Sequence, residues 1–121
     1  PRQPAADLAA GARVIAEVEG SFLPGLPAGF ALAGVDLSNL DYRLVRDSRA
    51  AQVRITLRTP AGGEVLCDWG HPPRSGYTRI PAADKLFVAR RLLARHPGFR
   101  GLRRIDLRYR HSPETWVGRE E

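Results

Sequence analysis

The segment that most constrains the fold is a strand-like stretch near the C-terminus. Residues Leu102–Tyr109 alternate, because Ile105, Leu107 and Tyr109 are apolar and the residues between them are charged. Alternation with a period of two is typical of a strand that buries one face in a sheet. An apolar segment with helical character, Ile80–Arg95, comes before it. The sequence therefore predicts a helix, a short turn and then a strand.

The place of this strand near the chain end makes it a candidate for the edge of the sheet, since only residues 110–121 follow it. An edge strand has backbone N–H and C=O groups without a partner, and these groups can pair with an incoming strand. The sequence thus predicts a docking edge in the last third of the chain.

A first helix is predicted to begin at Ala5 or Asp7 and to end before Pro24-Gly25. Its apolar residues follow the i, i+3/i+4 spacing that places side chains on one face of a helix. The predicted buried stripe consists of Leu8, Ala12, Ile15, Val18 and Phe22.

The middle of the chain is predicted to form strands. The clearest pair is Val53–Leu57 and Val65–Trp69, joined at residues 59–63 by a Pro- and Gly-rich segment that favours a tight turn. Two further strands are predicted at Phe30–Leu37 and Tyr42–Arg46.

The order of elements is helix, three or four antiparallel strands, helix, strand. This order predicts an α+β fold with a mainly antiparallel sheet and two helices on one face. The length of 121 residues fits a single domain, residues 1–121. Because the chain starts at Pro1 without Met, we expect it to be a fragment of a longer protein.

The chain is basic, with a formal net charge of +6, and Lys85 is the single lysine among its 19 basic residues. Six arginines cluster in the last third: Arg90, Arg91, Arg95, Arg100, Arg103 and Arg104. Such a group can contact phosphate, so an arginine-rich nucleic-acid-binding module is the alternative interpretation. A run of this kind is more often a solvated helix face.

No catalytic, metal or cofactor site is predicted. Cys67 and His71 have the spacing of a metal pair, but zinc sites need three or four ligands and only His96 and His111 remain as histidine donors. We therefore expect Cys67 to be a small buried strand residue. None of the serines that could act as a nucleophile lies in a recognisable elbow: Ser21, Ser38, Ser48, Ser75 and Ser112.

Charged and aromatic residues of the strands have simple expected roles. Asp68 and Asp106 are expected in solvated ion pairs with arginine. Trp69 alternates with Cys67 and is expected in the core. Trp116 lies among polar residues, and we expect it to be an interaction anchor because tryptophan is enriched in interface hot spots.

Together these features resemble the C-terminal periplasmic β domain of the bacterial cell-division protein FtsQ, also called DivIB. The resemblance covers residues 5–118 and rests above all on the Ile-Asp-Leu-Arg-Tyr motif at residues 105–109. The opening helix, the hairpin and the Asp-Lys-Leu start of the second helix at residues 84–86 also match. Family members carry a short cytoplasmic tail, one transmembrane helix and a POTRA domain before the β domain. The resemblance therefore implies a domain on the periplasmic side of the cell inner membrane.

The resemblance also implies a non-catalytic divisome scaffold that supports septum formation. In that family the β domain binds the FtsB and FtsL subunits, whose extended segment pairs with the last strands. Carried over to this sequence, the partner-binding residues are Tyr109, Ser112, Val117 and Gly118, with Trp116 as an added aromatic anchor. The segment between Tyr109 and Val117 is longer than in the family and contains Pro113, which we expect in a turn or on an outward edge.

Overall fold

The computed structural model describes residues 4–44, 51–70, 81–108 and 117–119. These residues form two helices and five strands. They are α1 (Pro4–Glu17), β1 (Ala31–Asp36), β2 (Val53–Arg58), β3 (Glu64–Gly70), α2 (Ala82–Arg95), β4 (Leu102–Asp106) and β5 (Val117–Arg119). A π-helical turn, Val18–Phe22, and a 3-10 turn, Leu23–Gly25, continue α1 before the chain enters the sheet.

The five strands form one sheet in the order β1-β2-β3-β4-β5. Neighbouring strands are antiparallel except for β3 and β4, which run parallel. Parallel neighbours need a crossover connection, and α2 lies between them in the chain. The predicted α+β class with a mainly antiparallel sheet is confirmed. The predicted hairpin is confirmed as well, since the Thr59 N–H donates to the Gly63 carbonyl over 2.8 Å to close the turn.

One hydrophobic core fills the space between the sheet and both helices. On the sheet side of the core, one row of neighbouring residues crosses four strands. It consists of Val35, Ile55, Cys67 and Ile105. The buried residues of α1, the π-helical turn and α2 belong to the same cluster as this row. Both helices therefore cover the same face of the sheet.

The face that α1 buries differs from the predicted stripe. The buried side chains are Ala10, Val14, Val18 and Phe22, spaced by four residues. Leu8, Ala12 and Ile15 face solvent, so the prediction that they are buried was wrong. A four-residue spacing drifts around an α-helix of 3.6 residues per turn, and the wider π-helical turn brings Val18 and Phe22 back onto the buried side.

The predicted strand Tyr42–Arg46 was also wrong where the structure describes it. Leu40–Tyr42 form a 3-10 turn and Tyr42 has a φ of 56°, which no strand tolerates. The Asn39 side chain fixes this turn, because its amide donates to the Ala51 carbonyl over 3.0 Å and its oxygen accepts from the Leu44 N–H over 3.1 Å. Residues 45 and 46 lie outside the described residues.

Alanine substitutions test which side of the first helical segment, α1 and the π-helical turn that continues it, is buried. Phe22 is fully buried and packs edge-to-face on Trp69, with ring centroids 5.1 Å apart. We expect Phe22→Ala to lower the free energy of unfolding by about 3–5 kcal/mol, because it removes a large core side chain. Urea unfolding followed by circular dichroism measures this change.

The matched control is Leu8→Ala on the same helix. Leu8 is 75% exposed, so this substitution should change the free energy of unfolding by less than about 0.5 kcal/mol. Equal losses for the two variants would contradict the assigned orientation of α1.

Candidate partner-binding edge

The strand predicted to be the edge is interior. β4 lies between β3 on one side and β5 on the other, so the prediction that Leu102–Tyr109 forms the edge was wrong. The chain beyond β4 returns as Val117–Arg119, and this short strand covers the free side of β4. Among the described strands, β5 is therefore the C-terminal edge and β1 is the edge at the other end of the sheet.

Register places two of the predicted partner-binding residues on this edge. Val117 pairs with Ile105, and Gly118 pairs with Arg104. The other three predicted residues, Tyr109, Ser112 and Trp116, lie outside the described residues.

The β4 strand ends at Asp106, before the predicted end at Tyr109, because the Asp106 side chain turns the backbone. Asp106 accepts the backbone N–H of Arg108 over 3.0 Å, which bends the chain away from the strand direction. The Arg108 guanidinium closes on the same carboxylate, with Nη2 2.7 Å from Oδ2. Both side chains are largely buried, so this ion pair is not the solvated one that the sequence predicted.

An ion cluster lies on the outward face of the sheet beside β5, and its two arginine side chains are partly exposed. The Asp68 side chain is fully buried between two arginines. Arg54 donates from Nε to Oδ1 over 2.8 Å, and Arg104 donates from Nε to Oδ2 over 2.8 Å and also from Nη2. The cluster joins β2, β3 and β4 on the face opposite the core. The predicted pairing of Asp68 with arginine is confirmed, but the carboxylate itself is buried and only the arginine side chains reach solvent.

Lys85 fixes the ends of the parallel strands. It is 1% exposed, and its Nζ donates to the carbonyls of Trp69 over 2.5 Å and of Leu107 over 3.3 Å. The same ammonium lies 4.9 Å from the centre of the Trp69 ring. It therefore links the C-terminal ends of β3 and β4 from the helix side of the sheet. Sequence reasoning assigned no role to this residue, because its contacts with the carbonyls of Trp69 and Leu107 are long-range and leave no local pattern.

Cys67 faces the core and is fully buried. Burial raises the pKa of its thiol, and the negative charge of neighbouring Asp68 raises it further. A thiol that stays protonated is a poor nucleophile and a poor metal ligand. His71, the other half of the metal pair considered above, lies outside the described residues. Within residues 4–44, 51–70, 81–108 and 117–119, no three His, Cys, Asp or Glu side chains are placed to hold a metal ion.

The members of the arginine group are solvent-exposed on α2 and on the turn and strand that follow it. Arg104 is bound to Asp68, and the Arg91 guanidinium lies 5.7 Å from the centre of the Phe87 ring.

Comparison of the chain with known protein families, curated proteins and solved structures gives no match. In the described part of the chain, neither helix is long and apolar enough to cross a membrane. The described residues thus combine a short edge strand, an ion cluster that joins β2, β3 and β4, and the buried Lys85.

The role of Lys85 is tested by Lys85→Met, which keeps the length of the side chain. We expect the free energy of unfolding to fall by about 1–3 kcal/mol, because two buried carbonyl groups lose their donor. Arg90→Met, an exposed position on the same helix, is the control and should be close to neutral. An unchanged urea midpoint for Lys85→Met would argue against the linking role.

The protection of Cys67 is tested with a thiol reagent such as 5,5′-dithiobis(2-nitrobenzoate). Because Cys67 is the only cysteine, all of the signal comes from this site. The native protein should react slowly, and raising the pH from about 7 to about 9 should accelerate it little, since the thiol pKa is raised. In denaturant the reaction should be complete. Rapid stoichiometric reaction of the folded protein would contradict the assigned burial.

Proposed function

We propose that this chain is a non-catalytic scaffold domain of the bacterial division apparatus, which binds FtsB- and FtsL-type proteins by strand addition at β5 and so supports septum formation. The observation that carries the proposal is the position of β5. Among the described residues it is the last strand of the sheet and pairs only with β4, and β4 contains Ile105 and Asp106, the first two residues of the motif on which the resemblance rests.

The physical basis is backbone pairing. Within the described part of the chain β5 is paired on one side only, so its other side can offer N–H and C=O groups to an extended segment of a partner. Main-chain hydrogen bonds between the incoming strand and β5 would supply affinity, and the alternate side chains of the partner would supply selectivity.

The support beneath the edge favours binding. β4 is held to β3 by Lys85 on one face and by the Asp68 cluster on the other. A binding strand that is already ordered loses less conformational entropy when the partner arrives. Selectivity is assigned to Tyr109 and Trp116, following the resemblance and the general enrichment of such aromatics in hot spots.

The proposal places the domain outside the cytoplasm, anchored to the inner membrane by a segment upstream of residue 1. The sequence of the gene upstream of this chain tests that part directly. A stretch of about 20 apolar residues there would support it.

Partner binding is tested by titration calorimetry against the periplasmic parts of the FtsB- and FtsL-type proteins of the same organism. Tyr109→Ala and Trp116→Ala should each weaken affinity by about 2 kcal/mol or more, as substitutions of hot-spot aromatics do. Deletion of residues 112–121 should abolish binding, because it removes β5. A melting curve of each variant shows whether the domain stays folded.

The control is the double substitution Arg90→Glu with Arg91→Glu, two exposed positions on α2. It should leave partner binding nearly unchanged, since exposed charges act mainly on association rate and salt dependence. If the shortened domain stays folded and binds as tightly as the full chain, strand addition at β5 is wrong.

A further inference from the structure

An apolar groove opens at the other end of the sheet, between the exposed side of α1 and the edge strand β1. We call it the α1–β1 groove. Its apolar lining consists of Leu8, Ala12 and Ile15 from α1 and of Leu32, Val35 and Leu37 from β1 and the residue after it. The groove has a volume of about 680 Å³. Leu8 is 75% exposed and Ile15 is 40% exposed.

The groove is a gap in the helical layer. A helix is about 10 Å wide and strands are about 4.8 Å apart, so each helix covers about two strands. Two helices therefore cannot cover a sheet of five strands. Leu32 and Val35 of β1 are only half-buried, whereas Leu57 and Ile55, which pair with them in β2, are fully buried. A further helix lying beside α1 would cover the inward side chains of β1.

The groove-facing residues of α1 can pack against the same residues of a second, antiparallel α1. Leu8 and Ile15 lie at equal distances on either side of the Gly11-Ala12 pair, about 5 Å from it along the axis at 1.5 Å per residue. A two-fold axis at Gly11-Ala12 therefore places Leu8 of each copy opposite Ile15 of the other. The two smallest residue types lie at the crossing point, where helices approach most closely.

Charges at the groove also fit a second copy. The lining contains no Arg or Lys, although the chain has 19 such residues, and its two charged members are Asp7 and Glu19. The same two-fold axis places Glu19 beside position 4 of the other copy, where α1 begins. A carboxylate is favoured at the positive N-terminal end of a helix. Asp7 is paired with Arg43 of its own chain at 2.9 Å, so it adds little repulsion.

We propose that two copies of this chain associate through the α1–β1 groove, with their α1 helices antiparallel about a two-fold axis at Gly11-Ala12. Each copy supplies the helix that covers β1 of the other. Self-complementarity of one patch is the requirement for a two-fold dimer, and the spacing of Leu8 and Ile15 meets it. The surface lies at the opposite end of the sheet from β5, so this proposal is independent of the proposed function.

Sedimentation velocity of the 121-residue chain tests the association, over a range from about 10 μM to about 500 μM. The expected result is a sedimentation coefficient that rises with concentration, from that of a 13.3 kDa monomer towards that of a dimer. Leu8→Glu and Ile15→Glu should each raise the dissociation constant about tenfold or more, since each would bury a charge in an apolar contact.

Matched controls lie outside the groove. Leu44 is 68% exposed and matches Leu8, and Phe87 is 40% exposed and matches Ile15. Leu44→Glu and Phe87→Glu should leave the dissociation constant unchanged. Melting curves of all four variants confirm that each one is folded.

Oxidative cross-linking tests the geometry. Cys67 is buried, so Ala12→Cys introduces one accessible thiol next to the proposed axis, and oxidation should give a covalent dimer in high yield. Ala83→Cys, at an exposed alanine of α2, is the control and should give little covalent dimer.

A single concentration-independent monomer would overturn the proposal. So would a dimer that the Leu44 and Phe87 controls weaken as much as the groove variants do, or one in which Ala83→Cys cross-links as well as Ala12→Cys. Loss of partner binding at β5 would not change the sedimentation or cross-linking results. The dimer proposal and the proposed function can therefore be tested independently.

Discussion

The packing around Trp69 holds the two helices to the sheet. Its ring is fully buried at the end of β3 and meets Phe22 edge-to-face. Its indole N–H donates to Glu17 Oε1 over 2.9 Å, so the end of α1 is tied to the same side chain. Its backbone carbonyl accepts from Lys85 of α2. Trp69 thus contacts three parts of the chain. Its ring packs on Phe22, its indole N–H donates to Glu17, and its carbonyl accepts from Lys85.

This arrangement determines where the C-terminal strands lie. Lys85 reaches the ends of both β3 and β4, and its ammonium can be buried because carbonyl oxygens and the Trp69 ring face it. On the other side of the sheet the Asp68 carboxylate binds arginines from β2 and β4. These polar contacts hold β4 to β3 on both faces of the sheet. The pairing of β5 with the other side of β4 then makes β4 an interior strand.

The two ends of the sheet have different character. The β5 end of the sheet is a short strand, which can present backbone groups to a partner. The β1 end has a groove, which presents the apolar side chains of Leu8, Ile15 and Leu32. The β1 strand also contains a bulge between Leu32 and Gly34, and bulges discourage further strand pairing at an edge. Backbone recognition is therefore suited to β5 and side-chain packing to β1.

Local patterns in the sequence were sufficient for the elements whose signals are short-range. The alternation in Val53–Leu57, the turn at residues 59–63 and the helix before Arg95 were all recovered close to their observed bounds. The α+β class followed from their order. The strand predicted at Tyr42–Arg46 failed because side-chain bonds of Asn39 to a distant carbonyl and a nearby N–H override a weak alternating pattern.

The sequence by itself determined most of the helices and strands and which residues of a strand share a face, but not the 3-10 turn at Leu40–Tyr42. Tertiary structure decided the order of strands in the sheet, the interior place of β4 and the side of α1 that is buried. The physical reason is that periodicity reports only which side chains point the same way. Whether that face meets a neighbour depends on long-range contacts, such as those of Trp69 with Phe22 and Lys85, which no local pattern encodes.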